Sequence, residues 1–110
     1  MRFSGCEIFG CVRVTGVTAN LPVSDVEAAR RFYAGREFVR VTDKPPQTKW
    51  ATGSNLAFVS YAADPERNLV IAMGVVDNLG KGAAGQAVQN ANLICGLPET
   101  AGLEGVPVWP

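Results

Sequence analysis

The 110-residue sequence predicts an α+β domain with a mostly antiparallel sheet and helices on one face. Four runs rich in β-branched and aromatic residues have strand character, and two segments have helical periodicity. Their order along the chain is β-α-β-β-β-α, and a short turn joins the last two strands. A chain of this length is typical of a single domain.

The first strand and the first helix are predicted from alternation and from helix-capping residues. Residues Cys11 to Thr18 alternate apolar and polar positions, as a half-buried strand does. Ser24 and Glu27 fit a capping box, in which each side chain satisfies a free N–H group of the first helical turn. The helix continues to Tyr33, and Gly35 is placed to end it in a left-handed conformation.

Three further strands follow this helix. Residues Glu37 to Thr42 form a short strand, which ends before the prolines at 45 and 46 because proline lacks the N–H group of a ladder. Residues Asn55 to Ala62 and Leu69 to Val76 flank the turn at 64–68, so we expect an antiparallel hairpin. The second of these strands is almost wholly apolar, which predicts burial on both faces.

A second helix is predicted over Ala83 to Cys95, followed by Gly96 as its cap and by Pro98, which prevents continuation. Apolar residues recur in it at spacings of three and four. The repeating positions are Ala84, Ala87, Val88, Ala91, Ile94 and Cys95.

Composition excludes several classes of function. Ten basic residues balance ten acidic ones, so the chain lacks the positive charge of a nucleic-acid binder. No apolar run approaches the ~18–20 residues that span a bilayer, and the N-terminus lacks the apolar segment of a signal peptide. We therefore expect a cytoplasmic protein with neither a nucleic-acid nor a membrane partner.

The sequence contains three cysteines and no histidine. The absence of histidine removes the commonest general base and excludes a Ser-His or Cys-His hydrolase acting alone. Cys6, Cys11 and Cys95 have neither the even count of a disulfide framework nor the spacing of a zinc site. We expect no metal site.

Residues 80–85 match the pattern G-x-G-x-x-G, which binds dinucleotide phosphates where it follows a strand and opens a helix. Glu99 lies nineteen residues after Gly80, near the distance of a ribose-binding acid. A dinucleotide fold, however, continues into a second parallel strand, whereas here residues 96–98 stop the helix. The sequence favours the alternative, in which small residues permit close packing at a helix start.

Residues Val75 to Leu93, VVDNLGKGAAGQAVQNANL, resemble the C-terminal signature of N-acetyl-gamma-glutamyl-phosphate reductases. Residues Gly96 to Leu103 resemble the closing sequence of the same family. The related aspartate-semialdehyde dehydrogenases carry a shorter form of the first motif, so the closing segment favours the reductase. The resemblance covers residues 18–110, and residues 1–17 form a divergent segment. It implies part of a C-terminal domain like that of glyceraldehyde-3-phosphate dehydrogenase.

The resemblance implies an NADPH-dependent oxidoreductase that reduces an acyl phosphate to a semialdehyde in arginine biosynthesis. Members of the family carry an N-terminal dinucleotide-binding domain, a nucleophilic Cys in a G-C-Y-P-T motif and a partner His. This sequence has none of them, because Cys6 shares only its Gly-Cys pair with the motif. We therefore expect no catalytic residue here, no activity of the chain alone, and no tight binding of NADP by it.

The resemblance places the turn after the apolar strand beside the nicotinamide. It implies that Asn78 hydrogen-bonds the nicotinamide end of NADPH. The backbone that would wall this site belongs to Leu79, Gly80, Lys81 and Gly82. Gly80 replaces a larger residue of the family and is expected to loosen the turn. The residues alone equally suit a turn role for Asn78 and a surface role for Lys81, and no special role is expected for Gln89.

Three interpretations stay open. The first is the C-terminal part of the reductase, whose partner is a complementary N-terminal dinucleotide-binding domain or a second copy. The second is a non-catalytic remnant or assembly module. The third is the homologous reductase that acts on an aminoadipate analogue in lysine synthesis, because the residues that select the substrate lie outside this sequence.

Overall fold

The computed structural model describes residues 12–19 and 25–108. The elements are β1 (Val12–Ala19), α1 (Asp25–Tyr33), β2 (Val39–Val41), a 3-10 turn (Thr48–Trp50), β3 (Ala57–Asp64), β4 (Leu69–Asp77), a π-helical turn (Gly80–Ala84) and α2 (Gly85–Ile94). The predicted order of strands and helices is confirmed. The predicted cap Ser24 and the cysteines at 6 and 11 lie outside the described residues.

The four strands form one sheet in the order β1-β4-β3-β2. β4 pairs antiparallel with β1, starting from Val12 opposite Asp77, and antiparallel with β3, where Ala57 lies opposite Val76. β2 adds to the edge of β3 in a short parallel pairing. The predicted α+β class, the mostly antiparallel sheet and the hairpin of β3 and β4 are confirmed.

β2 and β3 are shifted from their predicted bounds because they form a parallel pair. The N–H of Ala57 donates to the carbonyl of Phe38 at 2.8 Å, and the ladder starts only after this bond. Phe38 is buried directly before β2. The residues before Ala57 instead form a tight turn, in which the N–H of Ser54 donates to the carbonyl of Ala51 at 3.1 Å.

The prediction that β4 is buried on both faces holds only in part, because each face carries a buried residue but neither face is buried along its whole length. Val70 and Val75 are buried, whereas Ile71 is 40% exposed. The 3-10 turn and the π-helical turn contact β4, and α1 packs against β2 and β3. Ile71 lies near the start of β4, far from the π-helical turn that follows its end, and its apolar side chain therefore stays in contact with solvent.

The two predicted glycine caps are confirmed by their dihedral angles. Gly35, just after α1, has a φ of +78°, and Gly96, just after α2, has a φ of +69°. Left-handed backbone of this kind disfavours residues with a Cβ atom, which explains why glycine ends both helices. Within the described residues no helix is long and apolar enough to cross a bilayer.

α2 presents its polar side to the domain and its apolar side to solvent. Asn92 is only 6% exposed and Gly85 is buried, while Gln89 between them is half-buried. Many positions of the helix are exposed, Gln86, Asn90 and Leu93 among them. The exposed apolar stripe that we call the outer face of α2 consists of Ala84, Ala87, Val88, Ala91, Ile94 and Cys95. Surface helices of globular domains normally turn their apolar stripe toward the core. α2 is reversed with respect to that rule.

Candidate functional site

The turn that follows β4 is held by the carboxylate of Asp77. This side chain is 6% exposed, and its Oδ1 accepts the backbone N–H groups of Leu79 at 2.8 Å and Gly80 at 3.2 Å. Its Oδ2 accepts the N–H of Gly53 at 2.6 Å. A single carboxylate therefore joins the start of the turn to the loop that precedes β3.

The hydrogen bonds to Asp77 also set its charge. Burial by itself would raise the pKa of this carboxyl, because a charged group loses hydration. The N–H groups of Gly53, Gly80 and Leu79 outweigh burial and hold the pKa below its ordinary value. Asp77 is therefore ionised at neutral pH, and backbone dipoles provide its stabilisation.

The glycines of the G-x-G-x-x-G pattern permit close packing. A Cβ atom on Gly80 would lie 2.7 Å from the carbonyl oxygen of Ser54, and one on Gly85 would lie 2.9 Å from the carbonyl oxygen of Gly80. At Gly82 it would lie 3.1 Å from the carbonyl oxygen of Asp77. These contacts support the packing interpretation of the pattern, and they show that Gly80 tightens the turn rather than loosening it.

The course of the chain after α2 excludes a dinucleotide-binding fold within the described residues. Residues 95–108 contain turns but no strand. The side chain of Glu99 accepts a hydrogen bond from Nε2 of Gln89 at 2.6 Å, so it faces α2 rather than a free ribose position. The rejection of the complete Rossmann interpretation is confirmed for this part of the chain.

Lys81 is half-buried, contrary to the surface position that the sequence also suggested. Its Nζ donates to Oε1 of Gln89 and lies 5.5 Å from the centroid of the Phe38 ring. Burial lowers the pKa of Lys81, and the negative charge of Glu99 opposes that shift. The ammonium group is thus held beside α2 and faces inward.

Gln89 is the residue whose role the sequence missed. Its Oε1 accepts hydrogen bonds from Lys81 and, at 3.2 Å, from Nδ2 of the buried Asn55. Its Nε2 donates to Glu99. Asn92, one turn further along α2, donates to the carbonyl oxygens of Glu99 at 3.2 Å and Ala101 at 2.9 Å. The only sequence signal was the pair of amide residues Gln89 and Asn92, which lie three residues apart on one side of the helix.

Asn78 and Leu79 are the two side chains of the turn that remain available. Asn78 is half-buried, and its amide makes no hydrogen bond with any described residue. Leu79 is 66% exposed. A free amide beside an exposed apolar side chain is suited to a ligand that has both a polar group and a flat apolar surface.

The turn has an unusual backbone that places these two residues at its start. The N–H of Ala84 donates to the carbonyl of Leu79 at 3.1 Å, a spacing of five residues that defines a π-helical turn. Such turns are rare and occur frequently at functional sites. The five residues predicted to face a cofactor, 78–82, are thus brought together on one turn. No group of three potential metal ligands occurs among residues 12–19 and 25–108.

Comparisons with known proteins identify the family. The family described as "Semialdehyde dehydrogenase, dimerisation domain" matches residues 12–78. A protein of Methylobacterium sp. (strain 4-46), named N-acetyl-gamma-glutamyl-phosphate reductase, is 94% identical over 85 residues, which are 77% of this chain and 26% of the relative. A reductase of the same name from Bradyrhizobium sp. (strain ORS 278) is 91% identical over 85 residues, with the same coverage.

A more distant relative of the same name, from Lachnoclostridium phytofermentans, is 54% identical over 82 residues, which are 73% of this chain and 24% of the relative. The chain spans about a quarter of the length of the curated relatives it matches. The resemblance to N-acetyl-gamma-glutamyl-phosphate reductases is confirmed. Since the family match covers more than half of the sequence, the chain belongs to the semialdehyde dehydrogenase family, through its dimerisation domain.

Proposed function

We propose that residues 18–110 form the C-terminal part of an NADPH-dependent N-acetyl-gamma-glutamyl-phosphate reductase, which converts an acyl phosphate to a semialdehyde in the cytoplasm. The observation that carries this proposal is the amide of Asn78, which makes no hydrogen bond with any described residue and lies on a turn fixed by Asp77. The names of the relatives support the glutamyl substrate over the aminoadipyl alternative.

In this proposal, Asn78 binds the nicotinamide end of NADPH. Its amide has an acceptor oxygen and two donor hydrogens, which complement the carboxamide of a nicotinamide ring. Leu79 offers an exposed apolar side chain for the ring, and the backbone of residues 80–82 completes the wall. When bound, NADPH supplies the hydride. The chain's own residues orient the ring and exclude water from one side of it.

Lys81 has a supporting role in the proposed site. Its ammonium group is bound to Gln89 and lies over the Phe38 ring, so it stiffens the turn from inside the domain. The nucleophilic thiolate and its histidine partner would come from the part of the reductase that lies outside the segment similar to this chain. We therefore expect no NADPH-dependent turnover by the chain alone.

The test is co-expression of this chain with the remaining part of the Methylobacterium sp. reductase, outside the matched 85 residues. In the reconstituted enzyme, Asn78→Ala should raise the KM for NADPH about tenfold, the expected effect of one lost hydrogen bond to a buried group. Asn90→Ala, at an exposed position of α2, is the matched control and should leave KM unchanged. Equal KM values for both variants would refute the role of Asn78.

A second copy of the chain is also a proposed partner. The description of the matching family names dimerisation, and that match, over residues 12–78, includes all four strands. The partly exposed Ile71 of the central strand offers apolar surface for such a contact. Sedimentation of the chain at increasing concentration tests this, because a monomer at every concentration would contradict it.

A further inference from the structure

The connection between α1 and β2, together with β2 itself, lines a concavity with a volume of about 430 Å³. All the residues that line it lie between positions 34 and 41, so it shares no residue with the turn at 78–82. Arg36 and Arg40 are exposed cations of its lining, and Val39 and Val41 are half-buried apolar residues of it. The proposed function gives this cationic concavity no role.

Both arginines of the concavity are held by backbone carbonyl groups. Nε of Arg36 donates to the carbonyl of Phe32 at 3.3 Å, and its guanidinium carbon lies 5.0 Å from the centroid of the Phe32 ring. Nη1 of Arg40 donates to the carbonyls of Glu37 at 2.9 Å and Val39 at 3.1 Å. Because these guanidinium groups are already fixed, they lose less conformational entropy when they bind a ligand.

Neither guanidinium is neutralised by a carboxylate of the described residues. The ion pairs among those residues involve other arginines. Glu37 is the one acidic residue of the lining, and it forms no ion pair with Arg36 or Arg40. Residues 30–49 hold six of the ten basic residues of the chain and two of its ten acidic ones, which gives a local charge of +4. The concavity therefore attracts anions, although the net charge of the whole chain is zero.

The free donors of the two arginines select the class of anion. Nη1 and Nη2 of Arg36, and Nε and Nη2 of Arg40, donate to no described residue. A phosphate group has three terminal oxygens and close to two negative charges at neutral pH, so it can accept hydrogen bonds from both guanidinium groups. A single guanidinium already satisfies a carboxylate. The volume of the concavity falls in the ~300–1,000 Å³ range of small-molecule sites, which leaves room for an organic group on the phosphate.

We propose that the concavity between α1 and β2 binds a small phosphate monoester, whose phosphate group is held by Arg36 and Arg40. Val39 and Val41 provide apolar surface for the organic part of the ligand. The carboxylate of Glu37 repels any further anionic group, so the site prefers a ligand whose organic part is uncharged or basic. The proposal does not rest on the proposed function, because the residues of the two sites are different.

The experiment is an NMR titration of the ¹⁵N-labelled chain with phenyl phosphate at constant ionic strength. We expect saturable shifts of the backbone N–H signals of residues 34–41. Inorganic phosphate should shift the same signals but bind at least about threefold more weakly, because it lacks an apolar group. Phenol is the control without a phosphate and should leave these signals in place. No saturable shift at 34–41 with phenyl phosphate overturns the proposal, and equal affinity for the two phosphates overturns the assignment to a monoester.

Substitutions test the charged residues of the concavity. Arg36→Gln should weaken the binding of phenyl phosphate at least about tenfold, because it removes a charge-assisted contact. Arg67→Gln is the matched control, since it removes the same charge from an exposed arginine in the turn after β3, and it should change the affinity less than about twofold.

The substitution of Glu37 keeps the test independent of any loss of folding. Glu37→Gln should strengthen the binding of phenyl phosphate about two- to fivefold, because an opposing exposed charge is removed. An unfolded variant could not bind more tightly. Weaker binding in Glu37→Gln, or equal affinities of the Arg36→Gln and Arg67→Gln variants, would overturn the proposal.

Discussion

The carboxylate of Asp77 accepts the backbone N–H of Gly53 at 2.6 Å, although 24 residues separate them along the chain. Asp77 ends β4 and Gly53 precedes β3, so this bond ties the turn at 78–82 to the loop at 51–55. Val108 strengthens the same loop, because its N–H donates to the carbonyl of Thr52 at 2.9 Å. The position of Asn78 thus depends on a buried carboxylate and backbone donors.

Replacing Asp77 by Asn should destabilise the domain by about 1–3 kcal/mol, because an amide offers only one acceptor oxygen to three N–H donors. The substitution preserves the shape of the side chain, so packing changes little. Urea unfolding measures the loss. Asp43→Asn is the control, since Asp43 is an exposed carboxylate paired with Arg30 and should cost at most about 1 kcal/mol. Equal losses in both variants would contradict the assigned role.

The stability of the domain should fall in acid through the same carboxylate. The folded-state pKa of Asp77 lies below its ordinary value of 3.8, so the folded state favours the ionised form. Its contribution is fully present above pH 3.8 and is lost as the pH falls through the folded-state pKa. Urea unfolding at a series of pH values should show a shallower acid decline in Asp77→Asn. Parallel profiles for the two proteins would exclude this linkage.

Replacing Gly85 by Ala should destabilise the domain, although alanine is the better helix former by ~1 kcal/mol. The new Cβ would lie 2.3 Å from Oδ1 of Asn55 and 2.9 Å from the carbonyl oxygen of Gly80. Because Asn55 is buried and the second contact is with backbone, we expect a net loss of at least about 1 kcal/mol. Gln86→Ala, at the exposed neighbour, should change stability by less than about 0.5 kcal/mol.

Neutralising Glu99 should lower the pKa of Lys81 further. Burial lowers this pKa, and the charge of Glu99 partly restores it. In Glu99→Gln the negative charge that favours the protonated lysine is gone, while burial remains. The titration midpoint of the Lys81 side chain, followed by NMR, should therefore move to lower pH. Glu66→Gln, in the turn at the opposite end of β4, should leave the titration in place. A rise of the pKa in Glu99→Gln would refute this assignment.

The features best predicted from the sequence are those that depend on residues adjacent to one another along the chain. Gly35 and Gly96 are predictable as helix ends because a left-handed residue at a helix terminus needs no distant partner. The role of Gln89 escaped prediction because it depends on Asn55 and Glu99, which only the folded chain brings together. The reversal of α2 has the same origin. Periodicity identifies an apolar stripe, but the amide partners of the opposite side determine where that stripe points.

The position of β4 has a consequence for aggregation. β4 is the most apolar strand, with the sequence LVIAMGVVD, and β1 and β3 occupy both of its hydrogen-bonding edges. β1 is also the strand whose pairing spans the longest stretch of sequence, since Val12 pairs with Asp77. If β1 detached, β4 would become an exposed edge with a single charged residue, Asp77, at its end, and an apolar edge of this kind favours intermolecular β pairing. β1 therefore shields this edge of the apolar strand β4 from pairing with a second chain.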